Sequence, residues 1–194
     1  MRYVVILATL ALAGCVTAPA TPAPADAFFA RLASLCGQAF EGQIASPAVE
    51  ADAAFAGKRL VMHVRECSSD TIRIPFHVGT DRSRTWVITR TASGLRLKHD
   101  HRHEDGSEDR LTQYGGDTVN AGTAARQEFP ADAFSKAMFV RENIPQSAAN
   151  VWAMEVEPGR LFGYELRRPS RYFRVDFDLS RPVALPPPPW GATR

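Results

Sequence analysis

A chain of 194 residues has the length for one domain with a substantial core, and 45% hydrophobic with 23% charged residues is the composition of a folded globular protein. The 23 Lys and Arg against 21 Asp and Glu give a formal net charge of +2. Phosphate binding uses a surplus of Lys and Arg gathered on one face, so this near-neutral, scattered pattern excludes nucleic acid as the expected partner.

The chain opens with Arg2 as a positive n-region and residues 3–13 as an apolar stretch of 11 residues. A spanning helix needs about 20 residues, so this stretch reads as a cleaved signal, and no later stretch is long or apolar enough to span either. The stretch ends in Leu12-Ala13-Gly14-Cys15. That run resembles the lipobox of bacterial lipoproteins, which implies that residues 1–14 are removed and that Cys15 is the lipid attachment site. Two or three acyl chains would hold the protein durably at a membrane, since each buried methylene contributes about 0.8 kcal/mol. Val16, where an acidic residue would signal retention, implies sorting to the outer membrane with the domain facing the periplasm. The competing reading is an ordinary secretory signal cut after Ala18 or Ala20. Removing Arg2 with the signal takes the 23 basic residues to 22, against 21 acidic ones.

Residues 15–26 are rich in Pro, Ala and Thr and favour extended polyproline II, the character of a tether. Asp26 then reads as the N-cap of a helix over residues 27–38, with Phe28, Leu32, Leu35 and Ala39 at helical spacing and Gly37 near its end. Cys36 and Cys67 are an even pair once Cys15 is lipidated. An oxidising periplasm predicts a disulfide that ties the helix to the first strand and contributes roughly 3 kcal/mol by closing a loop of about 30 residues. Two buried free thiols are the alternative.

Period-two alternation dominates the rest. Residues 59–67, 71–78, 84–91 and 94–103 read as strands, 110–114 and 123–129 as weaker ones, and 151–156, 160–167 and 172–179 as a clear trio. Ser68-Ser69-Asp70, Ala92-Ser93-Gly94, Glu157-Pro158-Gly159 and Arg168-Pro169-Ser170 supply turns. Tyr114-Gly115-Gly116-Asp117 reads as another turn, and Pro130-Ala131-Asp132 as the start of a second helix carrying Ala133, Phe134, Ala137 and Met138. The expected fold is therefore mainly β, an antiparallel up-and-down meander over residues 27–180 that closes into a calycin-like barrel or folds into a sandwich, with an N-terminal helix. Residues 181–194, with four consecutive prolines, read as a tail, either loosely packed or docking a partner as polyproline.

The dense cluster of ligand-type residues is His99-Asp100-His101-Arg102-His103-Glu104-Asp105. On a strand running from Leu95, His99, His101 and His103 share a face with Leu95 and Leu97, so the imidazoles are expected to point into the barrel near one mouth. Residues two apart lie about 7 Å from each other, so one His-x-His pair can reach a single divalent transition metal. Gly94, His101, His103, Glu108 and Gly115 resemble the first motif of the cupins, small metal-binding barrels, with one extra residue before the first histidine. The five histidines are His63, His77, His99, His101 and His103, so nothing downstream supplies the third imidazole of that family. Two other readings stand beside a metal site. The cluster is a solvated strand end pairing with Asp105, Glu108 or Asp109, or it is a structural polar layer above the turn Glu104-Asp105-Gly106-Ser107. Arg73, Arg82, Arg84, Arg90, Arg96, Lys98 and Arg102 are expected to form a basic outer face able to meet anionic lipopolysaccharide or a protein.

No nucleophile elbow, zincin helix, phosphate loop or dinucleotide fingerprint occurs. The stretch from Leu97 to Asp109, with Tyr114-Gly115-Gly116 and Gln127-Glu128-Phe129-Pro130-Ala131-Asp132, is similar to segments of uncharacterised bacterial secreted proteins and lipoproteins. That resemblance implies an envelope location and no particular activity. The leading expectation is a non-enzymatic lipoprotein with no cofactor, whose β-domain binds a small ligand or an envelope protein. The alternative is a metal-dependent enzyme or carrier using His99, His101 or His103, with Glu108.

Overall fold

The computed structural model of the protein describes residues 23–192. The predicted signal 1–14, Cys15 and most of the predicted tether lie outside the described residues.

Helix α1 (Pro24–Ala33) starts earlier than residue 27 and ends before residue 38. Its N-cap is Ala23, without a side-chain bond, and Pro24 occupies the first turn, where a missing N–H leaves no helical bond unmade. Asp26 therefore does not cap the helix. It sits in the first turn, favourably placed toward the helix dipole, and pairs with Arg90. At Gly37, with φ +81°, the chain turns into strand β1 (Ala39–Ile44), which the helical spacing through Leu35 and Ala39 had concealed.

The remaining strands are β2 (Leu60–His63), β3 (Glu66–Cys67), β4 (Thr71–Val78), β5 (Asp81–Thr91), β6 (Gly94–His101), β7 (Tyr114–Asp117), β8 (Arg126–Pro130), β9 (Val151–Glu157), β10 (Leu161–Arg168) and β11 (Arg171–Val183). Helix α2 (Ala133–Arg141) precedes β9 and begins where the predicted start Pro130-Ala131-Asp132 ends; Asp132 is its N-cap and accepts from Ser135 N–H. The predicted strand 59–67 breaks in two, the predicted strand 110–114 is irregular until Tyr114, and the predicted turn at Tyr114-Gly115-Gly116-Asp117 is strand β7. Cys36 and Cys67 form the disulfide, which joins the turn after α1 to β3.

Every ladder is antiparallel. The order runs β7-β6-β5-β4-β2-β1-β11-β10-β9-β8, with β3 paired to β4 as a side branch. Followed around, this is an up-and-down meander in a nearly closed barrel. The seam between β7 and β8 is bridged by the start of α2. Asp132 N–H donates to Gly115 O at 2.9 Å, and Ser135 Oγ accepts from Gly115 N–H at 2.8 Å while donating to Gly115 O at 2.9 Å. Backbone meets backbone here, and only glycine fits: a Cβ on Gly116 would lie 1.8 Å from Pro130 O, and one on Gly115, at φ +151°, 1.9 Å from Leu97 O.

Helix α1 plugs one end of the barrel. Phe28, Phe29 and Leu32 join the core, Arg90 at the end of β5 stacks over Phe29, and Arg31 Nη1 donates to Val156 O at the end of β9. The C-terminal segment is strand as far as Val183 and then lies along the outside wall. Arg82 Nη1 donates to Pro188 O at 3.0 Å and Trp190 N–H to Arg82 O at 3.1 Å. The expected basic outer face is largely neutralised. Arg73 and Arg102 hold the buried Asp100, Arg96 holds Asp117, Lys98 holds Asp132 and Arg90 holds Asp26.

Gly116→Ala is expected to lower stability by about 1–3 kcal/mol through overpacking at the seam. Urea unfolding reads this directly, and an unchanged midpoint would mean that β7 and β8 do not meet as closely as described.

Candidate functional site at the barrel mouth

Period-two alternation turns one set of side chains inward on each strand, and at the end opposite α1 these rows change from apolar to polar. Along β5 the row passes from Ile88 and Trp86 to Arg84, and along β6 from Leu95 and Leu97 to His99 and His101. On β10 it passes from Phe162, Tyr164 and Leu166 to Arg168. On β11, Phe173 is followed outward by Arg171, and Asn150 stands just before Trp152 of β9. Between these rows lies a cavity of about 370 Å³. Its walls are aromatic: Trp86 stacks on Tyr164 at 4.3 Å and on Phe76 at 4.8 Å, and Phe55 meets Phe173 at 4.8 Å. Phe139 and Ile144, on and after α2, close one side.

His99 lies deepest, 2% exposed, stacked on Tyr114 at 4.5 Å and tilted against Trp152 at 5.0 Å. Its Nδ1 is 3.1 Å from the Tyr114 carbonyl oxygen, which can only accept, so Nδ1 carries the proton. Nε2 is then a lone pair and accepts from the Tyr164 hydroxyl at 2.7 Å. Burial, with the neighbouring His101, pushes the His99 pKa down to about 3, so the ring is neutral and both nitrogens are engaged. His101, nearer the opening, has Nε2 3.2 Å from the Tyr114 hydroxyl, and burial with the charge of Arg84 lowers its pKa to about 4.

The predicted quartet is thereby divided. His99 and His101 face inward as their phase required. His103 lies beyond the strand, more than half exposed and 3.9 Å from Asp109, while Glu108 accepts from Arg102 and Gln113. Among the described residues, no group of three or more His, Cys, Asp or Glu side chains is arranged to hold a metal ion. The polar-layer reading describes His99, and the solvated-end reading describes His103.

Three guanidinium groups stand at the mouth. Arg84 pairs with Asp81 at 2.5 Å and lies over Phe55, and Arg171 pairs with the buried Asp52. Arg168 donates from Nη1 to Asn150 Oδ1 at 3.0 Å. Asp109 also lines the opening, is 39% exposed and accepts from Leu111 N–H. Arg168, Arg171, Asn150 and Phe55 escaped the sequence reading. The turn signal of Arg168-Pro169-Ser170 masks the fact that Arg168 is the last residue of β10 and continues the alternating row of Phe162, Tyr164 and Leu166, which is the available signal.

Tyr164→Phe strands the His99 Nε2 lone pair in an apolar wall and is expected to cost about 1–3 kcal/mol in urea unfolding. The depressed histidines also set a pH dependence. His99, His101 and His77 have folded pKa values of about 3, about 4 and about 4, below the ordinary 6.5. The unfolded chain therefore binds more protons below about pH 6.5, and the stability from keeping these rings neutral is complete above that pH and lost progressively as pH falls toward 4. Urea midpoints measured from pH 7.5 to 4.5 should decline below pH 6.5, and a flat profile would contradict the neutral, buried assignment.

Comparisons with protein-family models, with curated proteins and with solved structures find no match to this chain.

Proposed function

We propose that the chain is a bacterial envelope lipoprotein, anchored through Cys15 at the outer membrane facing the periplasm, whose barrel binds a small apolar ligand at its mouth without transforming it. The observation that carries the binding role is the aromatic-walled cavity of about 370 Å³, within the range of small-molecule sites and opening between fixed polar groups. The state of those groups supports a binder over a catalyst. The Tyr164 proton is given to His99, the His99 proton to a carbonyl, and Arg84 and Arg171 already hold carboxylates. The Cys36–Cys67 disulfide supports an oxidising compartment, and the lipobox-like run ending at Cys15 supports the anchor.

Two measurements test this reading. Titrating the neutral aromatic probe 2-naphthamide should quench tryptophan emission, because Trp86 and Trp152 line the cavity and Trp190 does not. Leu111→Trp, which fills the mouth, should weaken the probe by about tenfold or more with the far-ultraviolet dichroism unchanged, and equal binding by both proteins would reject the cavity as the site. Separately, Cys15→Ser should abolish incorporation of labelled palmitate and remove the protein from the outer-membrane fraction. Retention of both would reject the anchor.

A further inference from the structure

Building on the cavity as a ligand site, we infer that Arg168 seats an anionic group, so that the ligand is a flat apolar molecule carrying a single negative charge such as a carboxylate. The argument starts from cross-strand register. Arg168 of β10 and Arg171 of β11 are directly opposed as the last pair of their ladder, and like charges in that position repel. A two-residue turn through Pro169 and Ser170, with Ser170 at φ +63°, fixes them there. One of the two charges is answered within the protein, since Arg171 binds Asp52. Across the opening Arg84 is answered by Asp81.

Arg168 is not answered in this way. Its one hydrogen-bond partner among the described residues is the neutral Asn150 Oδ1, and no carboxylate there lies within ion-pair distance of it. Burial and the charge of Arg171 disfavour its protonated form and outweigh the opposing pull of the Asp52 carboxylate, which is bonded to Arg171, so the guanidinium stands under a net electrostatic load that an anion would relieve. Asn150, only 6% exposed, orients the fork with one acceptor and leaves the other N–H groups for a bidentate partner. Asp109 also lines the opening as a partly exposed carboxylate bonded to Leu111 N–H, and a negative charge there disfavours a ligand carrying more than one anionic group. The walls below the guanidinium, Trp86, Tyr164 and Phe173, accept the flat apolar body.

The probes are 2-naphthoate and 2-naphthamide, which share a ring system and differ in charge. Calorimetric titrations into the full chain in detergent micelles, with titrations into empty micelles subtracted, should give naphthoate at least tenfold tighter than naphthamide. Arg168→Gln should reduce naphthoate affinity about tenfold or more and leave naphthamide within twofold, which also shows that the variant is folded. Arg168→Lys should restore part of the difference, because it returns the charge without the fork. Equal affinity of the two probes, or an unaltered naphthoate preference in Arg168→Gln, overturns the role of Arg168 while the cavity remains a ligand site. Failure of both probes to bind overturns the cavity reading and this inference with it. If Arg168→Gln does not fold, the wild-type preference for naphthoate and its decline with added salt remain decisive, and a preference insensitive to salt counts against the seat.

Discussion

A sheet that ends in free edges leaves a row of backbone groups unpaired, and the way this protein removes its last edge governs everything inside it. The meander leaves β7 and β8 facing each other across a seam, and ordinary side chains there would hold the strands apart. Gly115 and Gly116 let backbone approach backbone, and Ser135 and Asp132 at the start of α2 supply the bonds that a regular ladder would have made. The seam thus fixes three things together: barrel closure, the position of α2, and the inward pose of Tyr114 beside His99. Once the wall is closed, the interior is finite and must be filled or enclose space, and α1 fills only one end of it.

The contents of the other end follow from the low dielectric that the closed wall creates. A histidine placed at such depth is tolerable when its ring is neutral and both nitrogens are bonded, which Tyr164 and the Tyr114 carbonyl provide. The pair acts as a polar rivet between β6 and β10, on opposite walls, and gives the aromatic packing a unique arrangement. Among the described residues that line the cavity, charge is excluded from this depth and appears at the rim, where each arginine can still reach water, an acidic partner or a ligand. Outside the barrel the opposite pattern holds. Glu165 is pushed up by burial but held below its ordinary value by Arg126 and Arg174, in a ladder of alternating charge that covers the outer face of β8 to β11.

Alternation along single strands made most of the wall legible, including β4, β6 and the β9–β11 trio, because each buries one face and leaves the other wet. The inward direction of His99 and His101 was legible for the same reason. Strand β1 was not, since Leu35 and Ala39 also satisfy helical spacing and Gly37 ends the helix between them. Strand β7 was hidden by its glycines, which mark a turn in most chains and here mark a close approach. The division of the histidine cluster could not be read, because it depends on where β6 stops and the chain bends away, with His101 still on the ladder and His103 past it. The cavity was equally hidden, as an inward apolar row looks the same whether it packs solidly or lines a space.

The plug and the mouth lie at opposite poles, and the two ends of the described chain leave from different ones. Ala23 enters at the plugged pole, where α1 meets the ends of β5 and β9, while Trp190 and Gly191 lie beside Arg82, Arg102 and Gly106 toward the open pole. The barrel is therefore a cup whose stem is its N-terminal side. Ala23 and the opening are thus separated by the length of the barrel, so a molecule entering the mouth does so at the pole away from the helix that begins beside Ala23.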